Sequence, residues 1–289
     1  YKGVDFYLTS NIDGLTNTDW TAIGTALHPF KGKFHGQGNK ITNLRTSGSY
    51  TGLFGYIEEG SIDSLTIQGR ADINSANGTI NNDNKISGSS YVAGLVGFAK
   101  KSVISQCHVA AVINNTGSYT GGICAEAIAT TIQNCDFCGK INSAVDYAGG
   151  ICGHADAEDD VATKIISCTN AASVTAANYV GGIVGACENG SEVKFCNNGG
   201  NISATTENAG GICGTLNASS ITSCIATGGV NMGGPPVGST EGDVTITSCY
   251  FDKQRCDRTD SRATVYDKYT SEMQGTALQS ALGTTEWSF

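Results

Sequence analysis

Short apolar runs recur along the chain at a nearly constant interval, separated by Gly, Asn, Ser and acidic residues. The clearest is a Gly-apolar-apolar-Gly/Ala unit: Gly52-Leu53-Phe54-Gly55, Gly94-Leu95-Val96-Gly97, Gly122-Ile123-Cys124-Ala125, Gly150-Ile151-Cys152-Gly153, Gly182-Ile183-Val184-Gly185 and Gly211-Ile212-Cys213-Gly214. The starts lie 42, 28, 28, 32 and 29 residues apart, the first gap being stretched by a polar insert over 74–90. A second element, an Ile or Val followed three residues later by Leu or Cys, keeps the same rhythm at Ile41/Leu44, Ile62/Leu65, Ile104/Cys107, Ile132/Cys135, Ile165/Cys168, Val193/Cys196, Ile221/Cys224 and Ile246/Cys249. A third apolar position follows at Ile113, Ile141, Val174, Ile202 and Val230. Runs this short between turn residues read as strands.

Three strands per repeat predict one turn of a parallel β-solenoid, because a single repeat cannot bury its apolar residues and stacked repeats can. The expected fold is all-β: a right-handed parallel β-helix, as nearly all parallel crossovers are right-handed. About eight rungs spaced about 4.8 Å apart would make a rod about 38 Å long. One domain should span 1–289, with N-terminal rungs or a cap over 1–44, repeats over 45–249 and a C-terminal cap over 250–289. In that cap Thr270 is placed to N-cap a short helix carrying Met273, Leu278, Ala281 and Leu282 near one face and ending at Gly283. Trp287 and Phe289 would then cover the last rung.

Composition agrees and adds exclusions. Charged residues are 15% of the chain, well below the roughly 25% of an average soluble domain, so long charge-studded helices are not expected. Thirty-nine glycines without a Gly-X-Y period, and only 3 prolines, exclude collagen. A net charge of −9 opposes phosphate backbones and anionic membrane surfaces, so nucleic acid is not an expected partner. No stretch approaches the roughly 20 apolar residues of a membrane span, so no direct membrane insertion is expected. The sequence opens at Tyr1-Lys2-Gly3 without a signal peptide, and is read as a fragment of a longer protein.

The repeats resemble the GLUG motif of bacterial surface proteins. Further stretches carry that resemblance: Tyr7-Leu8-Thr9-Ser10-Asn11-Ile12-Asp13, Trp20-Thr21-Ala22-Ile23-Gly24, Phe30-Lys31-Gly32-Lys33-Phe34-His35-Gly36-Gln37-Gly38, and Cys249-Tyr250-Phe251-Asp252-Lys253 with Thr270-Ser271-Glu272-Met273. It departs from the pattern at His35, where Asp is expected, at Ala125, which replaces a closing Gly, and over 231–243, where the core unit is missing. GLUG repeats occur in adhesin-like proteins and beside the catalytic part of some immunoglobulin A1-specific metallopeptidases. The resemblance therefore implies an extracellular or cell-surface location, with any signal or anchor lying outside the sequence given.

Twelve cysteines would ordinarily suggest disulfides. Here Cys107, Cys135, Cys168, Cys196, Cys224 and Cys249 share a repeat position with Leu44 and Leu65, and Cys124, Cys152 and Cys213 share one with Phe54, Val96 and Val184. A position that exchanges Cys for Leu, Val or Phe is a buried apolar site, so these thiols are expected reduced and inward. Cys138, Cys187 and Cys256 fall off the ladders and are the better disulfide or reactive candidates. Cys135 and Cys138 form one Cys-x-x-Cys spacing without the second pair a structural zinc site needs.

Candidate chemistry is sparse. His28, His35, His108 and His154 belong to no zinc-protease helix, and no nucleophile elbow or phosphate loop is present, so no catalytic residue, metal or cofactor is assigned. Carboxylates at Glu58-Glu59, Glu126, Asp156, Glu158, Asp159, Asp160 and Glu188 follow the repeat cores and should line one edge of the rod. Solvated turns are the plain reading, with calcium or paired-carboxylate catalysis as alternatives. Lys253, Arg255, Arg258 and Arg262 alternate with Asp252, Asp257 and Asp260, as a mixed-charge loop does, although a sulfated or carboxylated sugar is a second reading. Tyr91, Tyr119, Tyr147 and Tyr179 each stand three residues before a repeat Gly, with Asn208 in the sixth repeat and Tyr50 shifted by one. Turned outward they would form an aromatic strip; turned inward they would pack a corner, which ordinary sheet stacking favours. The expectation is a monomeric, non-catalytic surface module or adhesin that uses these tyrosines on a host or matrix glycan or glycoprotein. The alternatives are a spacer or accessory region of a larger surface peptidase, and a polysaccharide-active β-helix enzyme.

Overall fold

The computed structural model describes residues 2–13, 19–68, 86–256, 260 and 264–273, and over them the chain winds into a parallel β-solenoid with almost no helix. One turn runs through Cys124–Ile128, Thr131–Gln133 and Asp136–Ser143, and then reaches the short piece Ala148–Gly149 before the next Gly unit. These pieces build three faces, here sheets I, II and III in the order a turn visits them. Sheet I has seven strands and sheet II nine. Sheet III is built from pieces of uneven length, from two residues at Thr169–Asn170 to nine at Ser173–Gly181.

Register makes the repeat pattern physical. Phe34, Ile62, Ile104, Ile132, Ile165, Val193, Ile221 and Ile246 stack one above another in sheet II. Ile113, Ile141, Val174, Ile202 and Val230 do so in sheet III, and Phe54, Val96, Cys124, Cys152, Val184, Cys213 and Val237 in sheet I. All but Phe34 are buried, in one continuous core. Each fully buried Ile or Val contributes about 1.5–3 kcal/mol, so rung stacking supplies the hydrophobic term that an isolated rung lacks. Ile41/Leu44 is the exception to the expected alignment. Phe34, not Ile41, pairs with Ile62, and Ile41 lies in sheet III between Ile12 and Ile67. The spacing of two apolar residues matched by chance, whereas the pairing of Lys33–His35 with Ser61–Asp63 fixes the register.

The corners repeat as well. Between sheets II and III one residue takes the left-handed conformation: Ser64, Gln106, Asn134, Ser167, Phe195, Ser223 and Ser248, with φ of 52–56°. A single left-handed residue turns an extended chain sharply and drops the next side chain, Leu65 or a Cys, into the core. Between sheets I and II hydroxyls bond from rung to rung. Gly60 N–H donates to Ser102 Oγ at 3.2 Å, Ser102 N–H to Thr130 Oγ1 at 3.3 Å and Thr130 N–H to Thr163 Oγ1 at 3.1 Å. In sheet III, Asn170 and Asn198 occupy the inward position held by Phe137 one rung earlier. They bond to each other at 2.8 Å and to the backbone of Ala172 and Gly200, which satisfies their buried amides.

The cysteine ladders are buried as the substitution pattern predicts, and no disulfide joins any of the twelve cysteines. Two of the three off-ladder thiols correct the expectation. Cys187 stacks between Ala155 and Leu216 on the inward side of sheet I, and burial drives its pKa upward. Cys256 is buried beside the Gly228 carbonyl at 3.5 Å. Neither is available for exchange, and only Cys138 reaches the surface. At the C-terminal end Lys253–Cys256 forms one helical turn and Thr270–Met273 a 3-10 turn. The rest of the expected helix and its Trp287/Phe289 lid lie outside the described residues.

Candidate binding groove

The tyrosine ladder lies on the outside of the rod. Each ring precedes a fully buried residue (Val92, Thr120, Ala148 and Val180), and at Tyr91 and Tyr119 alternation along the strand turns the ring away from the core. Tyr91, Tyr119, Tyr147 and Tyr179 are all half-buried, so inward corner packing is not their role. Tyr50, shifted by one residue in sequence, pairs with Tyr91 in register and heads the row. Ring centroids are separated by 4.5 Å for Tyr50–Tyr91, 5.4 Å for Tyr91–Tyr119, 5.3 Å for Tyr119–Tyr147 and 4.9 Å for Tyr147–Tyr179. The end pairs lie nearly parallel at 7° and 16°, whereas Tyr119 is tilted 37° and 47° from its neighbours in the row. Tyr147 and Tyr179 hold a left-handed backbone that Tyr91 and Tyr119 do not, and Asn208 continues the row in that same conformation.

A second outward ladder faces this row from sheet I. Its members stand four residues after each repeat Gly: Tyr56, Phe98, Glu126, His154, Ala186 and Thr215, in register. Tyr56 stacks on Phe98 at 4.4 Å, Phe98 meets Tyr91 edge-on at 5.9 Å, and the His154 imidazole lies nearly parallel to Tyr119 at 5.1 Å. The two ladders thus form the walls of a groove along the rod. At its N-terminal end a pocket of about 630 Å³ opens beside Tyr50, lined by Trp20, Thr21, Leu27, Thr46 and Ser47 among others. Trp20 is held by its Nε1–H donating to Leu53 O at 3.0 Å, and Asp19 by Arg45 at 2.7 Å.

At the centre of the groove three charged side chains meet. His154 Nδ1 lies 2.9 Å from Glu126 Oε1 and its Nε2 lies 3.4 Å from Glu188 Oε2. Glu126 is the register neighbour of His154, whereas Glu188 reaches back over the small Ala186 on the other side. Burial alone would lower the His154 pKa, but the bonds to Glu126 and Glu188 outweigh it and raise it to about 10. The imidazole is therefore a cation at neutral pH, and it holds the Glu188 carboxyl below the ordinary range. Burial, then the Glu126 charge, push Tyr91 up to about 12 and raise Tyr119. One cation between two carboxylates leaves this stretch of groove net negative, with neutral phenols around it. Such a surface suits hydrogen-bonding, uncharged ligands better than sulfated or carboxylated ones.

Of the acidic residues read from the sequence, only Glu126 and Glu188 enter the groove. Glu58 pairs with Lys31 at 2.6 Å, Glu158 with Lys100 and Lys101 at 2.5 and 2.9 Å, and Asp159 with Lys101 at 3.0 Å. Those turns are ion-paired edges, and no cluster of metal-ligating side chains occurs among the described residues. In the basic C-terminal segment, Lys253 pairs with Asp267 at 3.2 Å and lies 3.7 Å from the Tyr269 ring centroid. Arg258, Arg262 and Asp257 lie outside the described residues.

No family model matches the sequence, and no curated protein matches it. Among solved structures, the chain is similar to that of a putative immunoglobulin A1 protease from Bacteroides ovatus, at 19% identity and a TM-score of 0.60. The match covers 97% of this chain and 82% of that one. At that identity the likeness is one of fold. No helix among the described residues is long and apolar enough to cross a membrane.

Proposed function

We propose that this chain is a non-catalytic surface binding module whose groove takes an extended, uncharged glycan of a host or matrix glycoprotein. The observation that carries this reading is the unbroken outward row Tyr50, Tyr91, Tyr119, Tyr147 and Tyr179, faced by Tyr56, Phe98 and His154. A rigid rod repeats similar contacts at each rung, so several weak contacts add along one ligand. Phenol rings supply area and hydrogen bonds at little cost in side-chain freedom. A second reading, an accessory or spacer region of a larger peptidase, is supported by the fold shared with the putative immunoglobulin A1 protease.

A glycan and matrix-protein array with wild type and a Tyr119→Ala/Tyr147→Ala double variant separates these readings. Binding by wild type that the variant loses, with an unchanged circular dichroism spectrum, is expected. Absence of wild-type binding favours the accessory reading. Binding unchanged in the folded variant removes the groove, and depolymerisation of a polysaccharide makes the protein an enzyme.

A further inference from the structure

Away from the groove, on the outer face of sheet III, three reactive side chains come together. His108 opens the strand His108–Asn115 and Asp136 opens Asp136–Ser143 on the next rung. The register sets His108 beside Asp136 and Ala110 beside Cys138, so the thiol sits diagonally across from the imidazole on the same side of the sheet. Asp136 Oδ2 bonds to His108 Nδ1, and Cys138 Sγ lies 3.9 Å from His108 Nε2. The carboxylate holds the ring proton on Nδ1, so Nε2 faces the thiol and is the atom that takes up its proton. Of twelve cysteines, Cys138 alone is not buried. The bond with Cys138, against the opposing effect of burial and with support from Asp136, raises the His108 pKa to about 9. The other outward groups nearby are Lys140 on the Cys138 strand, Thr66 and Gln68 on the rung before and Thr169 on the rung after, so among the described residues Lys140 supplies the one further charge.

We propose that Cys138, His108 and Asp136 form a surface thiol-exchange site that takes a low-molecular-weight disulfide. His108 Nε2 accepts the thiol proton, and the Cys138 thiolate attacks one sulfur of the disulfide. The Cys138–sulfur bond forms as the disulfide bond breaks, and the departing thiolate takes the proton back from His108. The products are a mixed disulfide on Cys138 and one free small thiol, and the incoming disulfide is the oxidant. Exchange needs a thiolate, access and a proton carrier. It does not need the pair of free amide donors that acyl transfer requires, and the paired strands here commit their amides to the ladder.

Native protein incubated with oxidised glutathione and read by intact mass tests this. A single adduct, mapped by peptide mass to Cys138 and lost in Cys138→Ser, is expected. His108→Gln should slow its formation at pH 7 about tenfold or more, and Asp136→Asn less. In wild type the rate should persist below the ordinary thiol pKa, whereas in His108→Gln it should fall as pH drops; a merely structural histidine would leave that profile unchanged. In denaturant the Cys138 adduct should form at the same rate in wild type, His108→Gln and Asp136→Asn, which controls for reagent and fold. No adduct on the native chain, an adduct on another cysteine, or equal native rates in wild type and His108→Gln would overturn the proposal.

Discussion

The two halves of the groove share a backbone and differ in what they display. Over the first rungs the outward positions hold Tyr50, Tyr91, Tyr119, Tyr147 and Tyr179 on one wall and Tyr56, Phe98, Glu126 and His154 on the other. From there the same positions become Asn208 on the first wall, and Ala186, Thr215 and Ser239 on the second. The inward ladder scarcely notices: Val193, Ile221 and Ile246 continue the column begun by Ile104, Ile132 and Ile165. Inward positions are held to one kind of side chain by close packing. Outward positions are free of that demand, so a run of aromatics there is not dictated by core packing.

The largest effect should come from the column that both halves share. Ile132→Ala removes a fully buried side chain between two others and should cost about 2–5 kcal/mol, read as a lower urea midpoint. The matched outward change in the plain half, Thr215→Ala, should stay within about 0.5 kcal/mol. Next comes the charge triad. His154→Ala leaves two carboxylates facing each other without their cation and should cost about 3 kcal/mol at neutral pH. Its sign with pH follows from the raised pKa. The His154 contribution is complete below its ordinary value of 6.5 and is lost as pH rises through about 10, so the stability gap between wild type and variant should narrow over that window. An imidazole NMR titration that ends below pH 7 would contradict the triad.

A smaller effect is expected for Tyr119→Ala/Tyr147→Ala. These rings are half-exposed, and each aromatic pair is worth about 0.5–1.5 kcal/mol beyond its buried area, so the variant should melt slightly lower while losing ligand. Lys101→Ala, which breaks exposed pairs to Glu158 and Asp159, should leave the melting temperature unchanged within error.

The solenoid was legible because burial enforces a period. Ile104, Ile132 and Ile165 repeat since each must cover the next, and the Cys/Leu exchange at Leu65 and Cys107 marked that corner as apolar. The tyrosine row was visible for the same reason, though its orientation was not, because strand alternation cannot be phased where both neighbouring positions are apolar. The Glu126–His154–Glu188 triad was hidden. Its members differ in type, and Glu188 stands two residues off the position of the other two. Counting four residues past each repeat Gly would have brought Glu126 and His154 together with Tyr56 and Phe98; only the small Ala186 explains how Glu188 joins them. Likewise His108 and Asp136 each follow a ladder cysteine directly, a coincidence that means nothing until the rungs are aligned.

The rung-to-rung bonds at Ser102, Thr130 and Thr163, like the strand pairing itself, run along the rod. Load is therefore carried differently in the two directions. Force across the rod is borne by the covalent chain as it circles each turn, whereas force along the rod falls directly on hydrogen bonds and stacked side chains. Pulled from its ends, such a structure gives way one turn at a time and pays out slack. Pulled sideways, it shares the load over the backbone of many turns.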